Sequence, residues 1–553
     1  MIENRYNSYG QYIEPSVPES RWAKEKEIKS ASTAIDLSAK KCETAGLPLI
    51  SDGKKVWVDG RDNHTLIFGS TGSKKTRLFV MPTIGTMIKA GESFVVTDPK
   101  GEILEKTADL AASNGYDIKV LNFRDIGNGE CWNPLDYPYK LYHEGKVDKA
   151  SEMVDDIINV LTAKYTGTRA DPFWQYTANA FGIGIALLLL EAGEKNQVNM
   201  LSVAKMCDEN LRSTFEKLFR HMDPSCACAV NLGAVLSAAD KTFQSILVSF
   251  FADVSIFVKQ RNLSDMLSKS TFDVKDFGTK KTAFYLIVPD EKTTLHFLVT
   301  TFIKQAYEIL IESAQKMGGK LPIRVNFVLD EFCNIPRIPD MPNMISAARS
   351  RNIRYFLVVQ SQHQLESRYD KDAETIKGNC LNWVFLSSKE YSLLEEISNL
   401  CGKFQSDGPV LISTSQLQRL NKEKGEALII HDRCYPFITQ LPDVDDYDLY
   451  KVKKNGVIDE LFMKYASQCA KAEFLDLYKL ELDCRMLKRK YPFDLTDLTQ
   501  MKEYRNFNKN DIALMDTLQK MILERDIQDE DDFLDTLAEY AAKYGINVDI
   551  KAV

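Results

Sequence analysis

HTLIFGSTGSKKTRLFV, residues 64–80, decides the fold of this chain. TLIF is a short apolar run of strand type, and it enters a glycine-containing turn. From Lys75 onward, apolar positions recur at helical spacing through TRLFVMPTIGTMI. Strand, glycine turn and helix in that order are what a phosphate-binding loop requires. Backbone N–H groups curl round the phosphates, a lysine reaches the β- and γ-phosphates, and a hydroxyl binds magnesium. Gly69, Ser70, Thr71, Gly72, Ser73, Lys74, Lys75 and Thr76 make up the loop, with Lys75 and Thr76 in the last two roles and Arg77 directly after. The pattern GxxxxGK[ST] asks for glycine where this chain has Lys74. Glycine there lets the backbone approach the phosphates with no Cβ in the way. Lys74 either crowds the nucleotide or adds a second cation. Taken alone, the loop fits a polar turn nearly as well as a nucleotide site.

Further along, SFVVTDPKGE and YDIKVLNF read as strands, so strand and helix alternate and predict a parallel α/β sheet. Residues 140–270 have a helical texture, with apolar residues three and four apart, and this predicts an all-α insertion. The α/β pattern resumes with TAFYLIVP, VNFVLDEF, IRYFLVVQSQ and NWVFLSS and ends near GEALIIHDRCYPFITQL. The expected division is an N-terminal segment 1–60, a first α/β part 61–139, the insertion 140–270, a second α/β part 271–445 and an acidic helical extension 446–553.

Asp330 and Glu331 close the apolar run VNFVL. Behind an upstream phosphate loop, the first carboxylate orders the shell of Mg2+ and the second polarises the attacking water. A strand ending in two solvated acids is the plain alternative. The loop and the acids, in this order, favour the functional reading.

A chain of 553 residues is expected to fold as roughly three or four units. The net charge of -8 argues against a surface coated everywhere in nucleic acid, while leaving room for a basic pore. The 11 cysteines are scattered, Cys226 and Cys228 being the closest pair, and read as reduced thiols of a cytosolic protein. The longest apolar stretch, Phe181 to Leu190, is shorter than the roughly 20 residues of a bilayer span and reads as a core helix. The polar start MIENRYNSYG has no signal-peptide core. The expectation is a soluble, cytoplasmic protein brought to the inner face of the cell membrane by partners.

HTLIFGSTGSKKTR, FVVTDPKGE, CWNPLDYP, DPFWQYTANAF, VLDEFCNIPRIPD, ARSRNIRYFLVVQSQHQL and STSQLQRL together resemble the VirD4/TraG family of conjugative coupling proteins. The resemblance implies a RecA-like P-loop NTPase domain with an all-α insertion, ATP and Mg2+ as ligands, and a hexameric ring with sites between subunits. It also implies movement of single-stranded DNA and its relaxase toward membrane-bound components of a secretion channel, together with relaxosome accessory proteins. Lys75 and Thr76 match the family's nucleotide-binding lysine and hydroxyl, and Asp330 and Glu331 its paired acids. Gln360 matches the γ-phosphate sensor. Arg349 matches the arginine finger offered to a neighbouring subunit, with Arg351 a close competitor. The resemblance places Asp98 and Lys100, in TDPKGE, in a family signature beside the phosphate loop, with Asn133 and Pro134 as a structural turn of the same signature, and neither pair is assigned chemistry. Lys74 departs from the family pattern and bears on hydrolysis rate. N-terminal transmembrane helices, carried by many members, are not expected here. Two other functions compete: a low-turnover receptor that binds relaxosome proteins through its helical domain, and a ring ATPase for chromosome or phage DNA.

Overall fold

The computed structural model describes residues 20–163, 172–219, 226–405, 408–451, 455–465 and 470–480, together with two short strands, β1 (Arg5–Tyr6) and β2 (Tyr12–Ile13), which pair antiparallel. Three strands follow, β3 (Thr33–Asp36), β4 (Leu47–Ser51) and β5 (Lys55–Asp59), in an antiparallel sheet of order β3-β5-β4. Sequence reading did not anticipate this sheet. The sheet lies in the N-terminal segment 1–60, which also holds the short helix Glu25–Ser30.

The main sheet has nine strands: β6 (Thr65–Gly69), β7 (Ser93–Asp98), β8 (Asp117–Asn122), β9 (Thr282–Ile287), β10 (Val325–Leu329), β11 (Ile353–Val359), β12 (Asn382–Ser387), β13 (Glu426–His431) and β14 (Cys434–Gln440). Their spatial order is β14-β13-β12-β6-β11-β10-β7-β9-β8. β12 through β8 in that order run parallel, whereas β13 and β14 form an antiparallel hairpin at one edge. The central strands are buried along their whole length, which is why they read as continuous apolar runs rather than alternating ones.

Side chains alternate between two apolar cores. Ile67, Val96, Val328 and Val358 face the helices Met81–Ala90 and Glu102–Ser113 and the small sheet. Leu66, Val95, Leu329 and Val359 face the other core, which takes in the helix His296–Lys316 and the helices between β8 and β9. A guanidinium lies inside the sheet. Arg354 on β11 is fully buried, and it donates to Glu92 Oε2 at 2.9 Å, Asn326 Oδ1 at 2.8 Å and the carbonyls of Ala45 and Arg61. Full pairing of this kind is what makes a buried guanidinium tolerable.

Between β8 and β9 the described elements are helical. The longest, Pro172–Ala192, is apolar on all sides from Phe181 to Leu190, where it is packed among other helices, while Phe173, Trp174 and Tyr176 near its start are exposed. Among the described residues, it is the one helix long and apolar enough to cross a membrane by length and composition, and 67% of that stretch is buried inside the fold. Gly182 permits the close approach of the helix Asp240–Val254: a Cβ there would stand 2.4 Å from the ring of Phe250.

Past β14 the chain returns to both cores. The helix Val457–Tyr465 packs against the first, and Tyr465 Oη accepts from Val120 N at 3.2 Å. Leu475 and Leu477 enter the second, held by Asn199 Nδ2 donating to Glu473 O at 2.8 Å. The rest of the expected C-terminal extension, residues 481–553, lies outside the described residues.

Candidate functional site

Parallel α/β sheets bind ligands beyond the carboxyl ends of their strands, because helix N-termini and loops converge there. Phe68 pairs with Val359, so Gly69 and Gln360 leave the sheet side by side. Leu329 pairs with Leu357 on one side and with Thr97 on the other. Asp330 therefore emerges between the end of β11 and Asp98. The strand that carries the phosphate loop and the strand that carries the paired acids flank a third strand, the RecA-like arrangement.

The loop closes tightly on itself. A Cβ at Gly69 would lie 2.4 Å from Ser73 Oγ and 2.8 Å from Lys75 Cγ, so only glycine fits. Ser70 N donates to Ser387 O at 2.9 Å and the two hydroxyls lie 2.9 Å apart, which anchors the loop to β12. Lys75 Nζ, almost fully buried, donates to Gly69 O at 2.6 Å and lies 3.6 Å from Glu331 Oε1. Thr76 Oγ1 donates to Asp330 Oδ2 at 2.8 Å. The helix opens with a wide turn in which Met81 N–H reaches back to Thr76 O. Such π turns interrupt helices preferentially at functional sites.

Lys74 resolves the departure from the loop pattern. Its φ is 65°, the left-handed conformation that glycine would adopt. A residue with a Cβ holds that conformation at a cost of about 1–2 kcal/mol. The side chain turns out of the loop and pairs with Glu423 at 3.0 Å. The backbone at Lys74 thus follows the path that glycine would give it. Arg77 also points away, with Nε donating to Asp443 Oδ1 at 3.0 Å and a second contact to Asp445. None of these three acidic partners was foreseeable locally, since all lie more than 300 residues along the chain.

Asp330 is buried, whereas Glu331 is half-buried and sits on a strained backbone. Glu331 takes φ 55°, outside the comfortable range for its residue type. Gln360 Nε2 donates to Glu331 Oε2 at 2.7 Å, and Thr71 Oγ1 donates to Gln360 Oε1 at 3.4 Å. Gln360 thereby bridges the second acid and the phosphate loop. Burial raises the pKa of Asp330 to about 6, with the Glu331 charge adding to the rise; Thr76 and Lys75 oppose it. Asp98, without solvent exposure, is raised to about 6 mainly by burial, while the amides of Leu104 and Gly101 oppose the rise.

Two features of these side chains suit a nucleotide with a divalent cation. The Thr76 hydroxyl and Asp330 carboxylate are hard oxygen donors brought to one point, the donor type Mg2+ takes. Ser73 Oγ and Asp98 Oδ1 are among the buried polar atoms that make no hydrogen bond within the described residues, and a bound group would give them partners.

Arg349 lies elsewhere. It follows the helix Met341–Ala348 and precedes β11, at the amino-terminal edge of the sheet. It is exposed, and its Nη2 reaches Asn63 Oδ1 at 3.5 Å. The seven residues of β11 separate it from Gln360, roughly 20 Å at the usual rise of a strand. Arg349 therefore does not reach the phosphate loop of its own chain. Asn133 is a structural tie: its Nδ2 donates to Val198 O at 2.6 Å, and its Oδ1 accepts from Leu135 N at 3.0 Å.

A family model described as "Type IV secretory system Conjugative DNA transfer" matches residues 21–409. Conjugal transfer protein TraG of Escherichia coli is 25% identical over 464 residues, which cover 75% of this chain and 70% of TraG. Protein VirD4 of Rhizobium radiobacter is 24% identical over 367 residues, 63% of this chain and 49% of VirD4, so the chain spans about half the length of that relative. Plasmid coupling protein TrwB, solved with the non-hydrolysable ATP analogue ADPNP, is 14% identical and superposes with a TM-score of 0.56 over 78% of this chain and 95% of its own. TrwB solved with ADP and Mg2+ gives a TM-score of 0.54 at 14% identity, over 76% and 93%. At these identities the likeness to TrwB is one of fold. With most of its length inside the family match, the chain belongs to the type IV secretory system family for conjugative DNA transfer.

Proposed function

We propose that this chain is an ATP-driven coupling protein, which recruits a relaxase with its single-stranded DNA and drives the DNA into a conjugation channel. The observation that carries the motor reading is the convergence of Lys75, Thr76, Asp330, Glu331 and Gln360 at the ends of three neighbouring strands. Family membership supports the DNA and the channel as its context. The TrwB structures with ADPNP and with ADP and Mg2+ are consistent with a nucleotide at this loop.

In this reading the loop amides and Lys75 hold the β- and γ-phosphates. The ammonium exchanges its contact with Gly69 O for phosphate oxygens, and the loop need not change its path. Thr76 and Asp330 would hold Mg2+, which would supply charge neutralisation to the phosphates. Glu331 orients a water for in-line attack and takes its proton. Gln360, bonded to both Glu331 and Thr71, reports the γ-phosphate to β11. Arg349 serves the site of the next subunit in a homo-hexamer. The helical segment 140–270 receives relaxase and accessory proteins, and the assembled protein works at the cytoplasmic face of the membrane beside channel components.

Lys75→Ala tests the site. Hydrogen bonds to charged groups contribute about 1.5–3 kcal/mol each, so ATP affinity is expected to fall roughly 10- to 100-fold with thermal stability retained. Titration of the full chain with a fluorescent ATP analogue reads the change. Normal binding by Lys75→Ala together with its loss in Lys74→Ala would shift the loop assignment by one residue.

A further inference from the structure

Asp98 is a buried acid to which the proposed reaction gives no task. It closes β7, next to the strand that ends before Asp330, and Thr97 Oγ1 donates to Asp330 O at 2.8 Å, joining the two strand ends. Val96 and Val328 face the same core, and side chains alternate along strands. Asp98 and Asp330 therefore project from adjacent strands to the face that carries the phosphate loop.

One oxygen of Asp98 has a structural task. Oδ2 accepts from Leu104 N at 2.8 Å and caps the helix Glu102–Ser113. The other, Oδ1, is buried without a hydrogen-bond partner. An unsatisfied buried acceptor costs about 1–3 kcal/mol, more when charged. Capping alone does not account for that cost, because an asparagine would cap the same amide without bringing a second acceptor. Mg2+ keeps several of its waters and is bound through one or two carboxylates, so its hydration shell needs nearby acceptors.

We propose that Asp98 is a positioning residue for the divalent cation of this site, with Oδ1 serving the cation's hydration shell while Thr76 and Asp330 hold the cation itself. The proposal rests on the nucleotide-site reading above and adds a third carboxylate to it. Outer partners of this kind set metal affinity by roughly 10- to 100-fold.

Asp98→Asn separates the two tasks. It keeps an acceptor for Leu104 N and replaces the charged Oδ1 with an amide donor. The full chain is titrated with a fluorescent ATP analogue, first in EDTA and then at rising Mg2+, and Mn2+ bound in the presence of ATP is followed by electron paramagnetic resonance. The expected result is unchanged affinity in EDTA, with the Mg2+ concentration for half-maximal enhancement raised roughly 10- to 100-fold and a matching loss of bound Mn2+. Equal Mg2+ half-points in parent and variant would overturn the role of Asp98 and leave the nucleotide site standing. A parent protein whose ATP affinity ignores Mg2+ would overturn the site reading itself, and this proposal with it. If Asp98→Asn fails to fold, Asp98→Ser, whose hydroxyl caps the same amide, carries the same comparison.

Discussion

Arg349→Ala protein is expected to bind ATP normally and to lose hydrolysis by roughly 10³- to 10⁵-fold, the range by which arginine fingers accelerate related phosphoryl transfers. The reason is geometric. Arg349 stands at the amino-terminal edge of β11, and the phosphate loop lies beyond the carboxyl-terminal edge. An exposed guanidinium so placed can stabilise the γ-phosphate of a neighbouring subunit and not its own. Activity of the parent protein is therefore expected to rise with concentration as rings assemble. Mixing Arg349→Ala with Lys75→Ala subunits is expected to restore part of the lost activity, because some interfaces then join an intact loop to an intact arginine. Assembled mixtures with no recovery would mean that turnover is concerted round the ring or that the finger lies elsewhere. An inactive Arg351→Ala beside an active Arg349→Ala would move the assignment by two residues and leave the ring intact.

Glu331→Gln is the second large effect. The substitution preserves the shape of the acid and removes its ability to take a proton, a contribution typically worth 10²- to 10⁴-fold. The variant is expected to bind ATP and retain it unhydrolysed. Glutamine can still meet Gln360 once the amides reorient, so the contact now formed at 2.7 Å does not by itself cost the fold. Single-turnover measurement of bound ATP reads the result. Hydrolysis at the parent rate would place the water-activating group on another residue.

The chain states its main architecture openly. TLIFGSTGSKKT carries a strand, a loop and a helix start within twelve letters, and the buried strands VNFVL and IRYFLVV stand out because both of their faces are apolar. The paired acids and Gln360 were legible for the same reason, since each sits where an apolar run stops. The small sheet was not. TAID, LPLIS and KVWVD are short, the first and last mix charges with apolar residues and the second carries a proline, and they gain their burial from Met81–Ala90 and its neighbours rather than from local pattern. Lys74 shows a second limit. Its residue type argues against the loop, whereas its backbone meets the loop's demand because Ser70, Ser387 and Lys75 fix the path on either side. Asp98 shows a third. TDPKGE marks a turn, but only the sheet order sets its acid beside Asp330.

ATP hydrolysis by the full chain, measured with and without single-stranded DNA, tests the central claim most directly. The account predicts Mg2+-dependent turnover that single-stranded DNA stimulates and that Lys75→Ala abolishes. ATP that binds at the loop yet stays intact at every DNA and protein concentration would contradict a motor and leave a receptor of relaxosome proteins in its place.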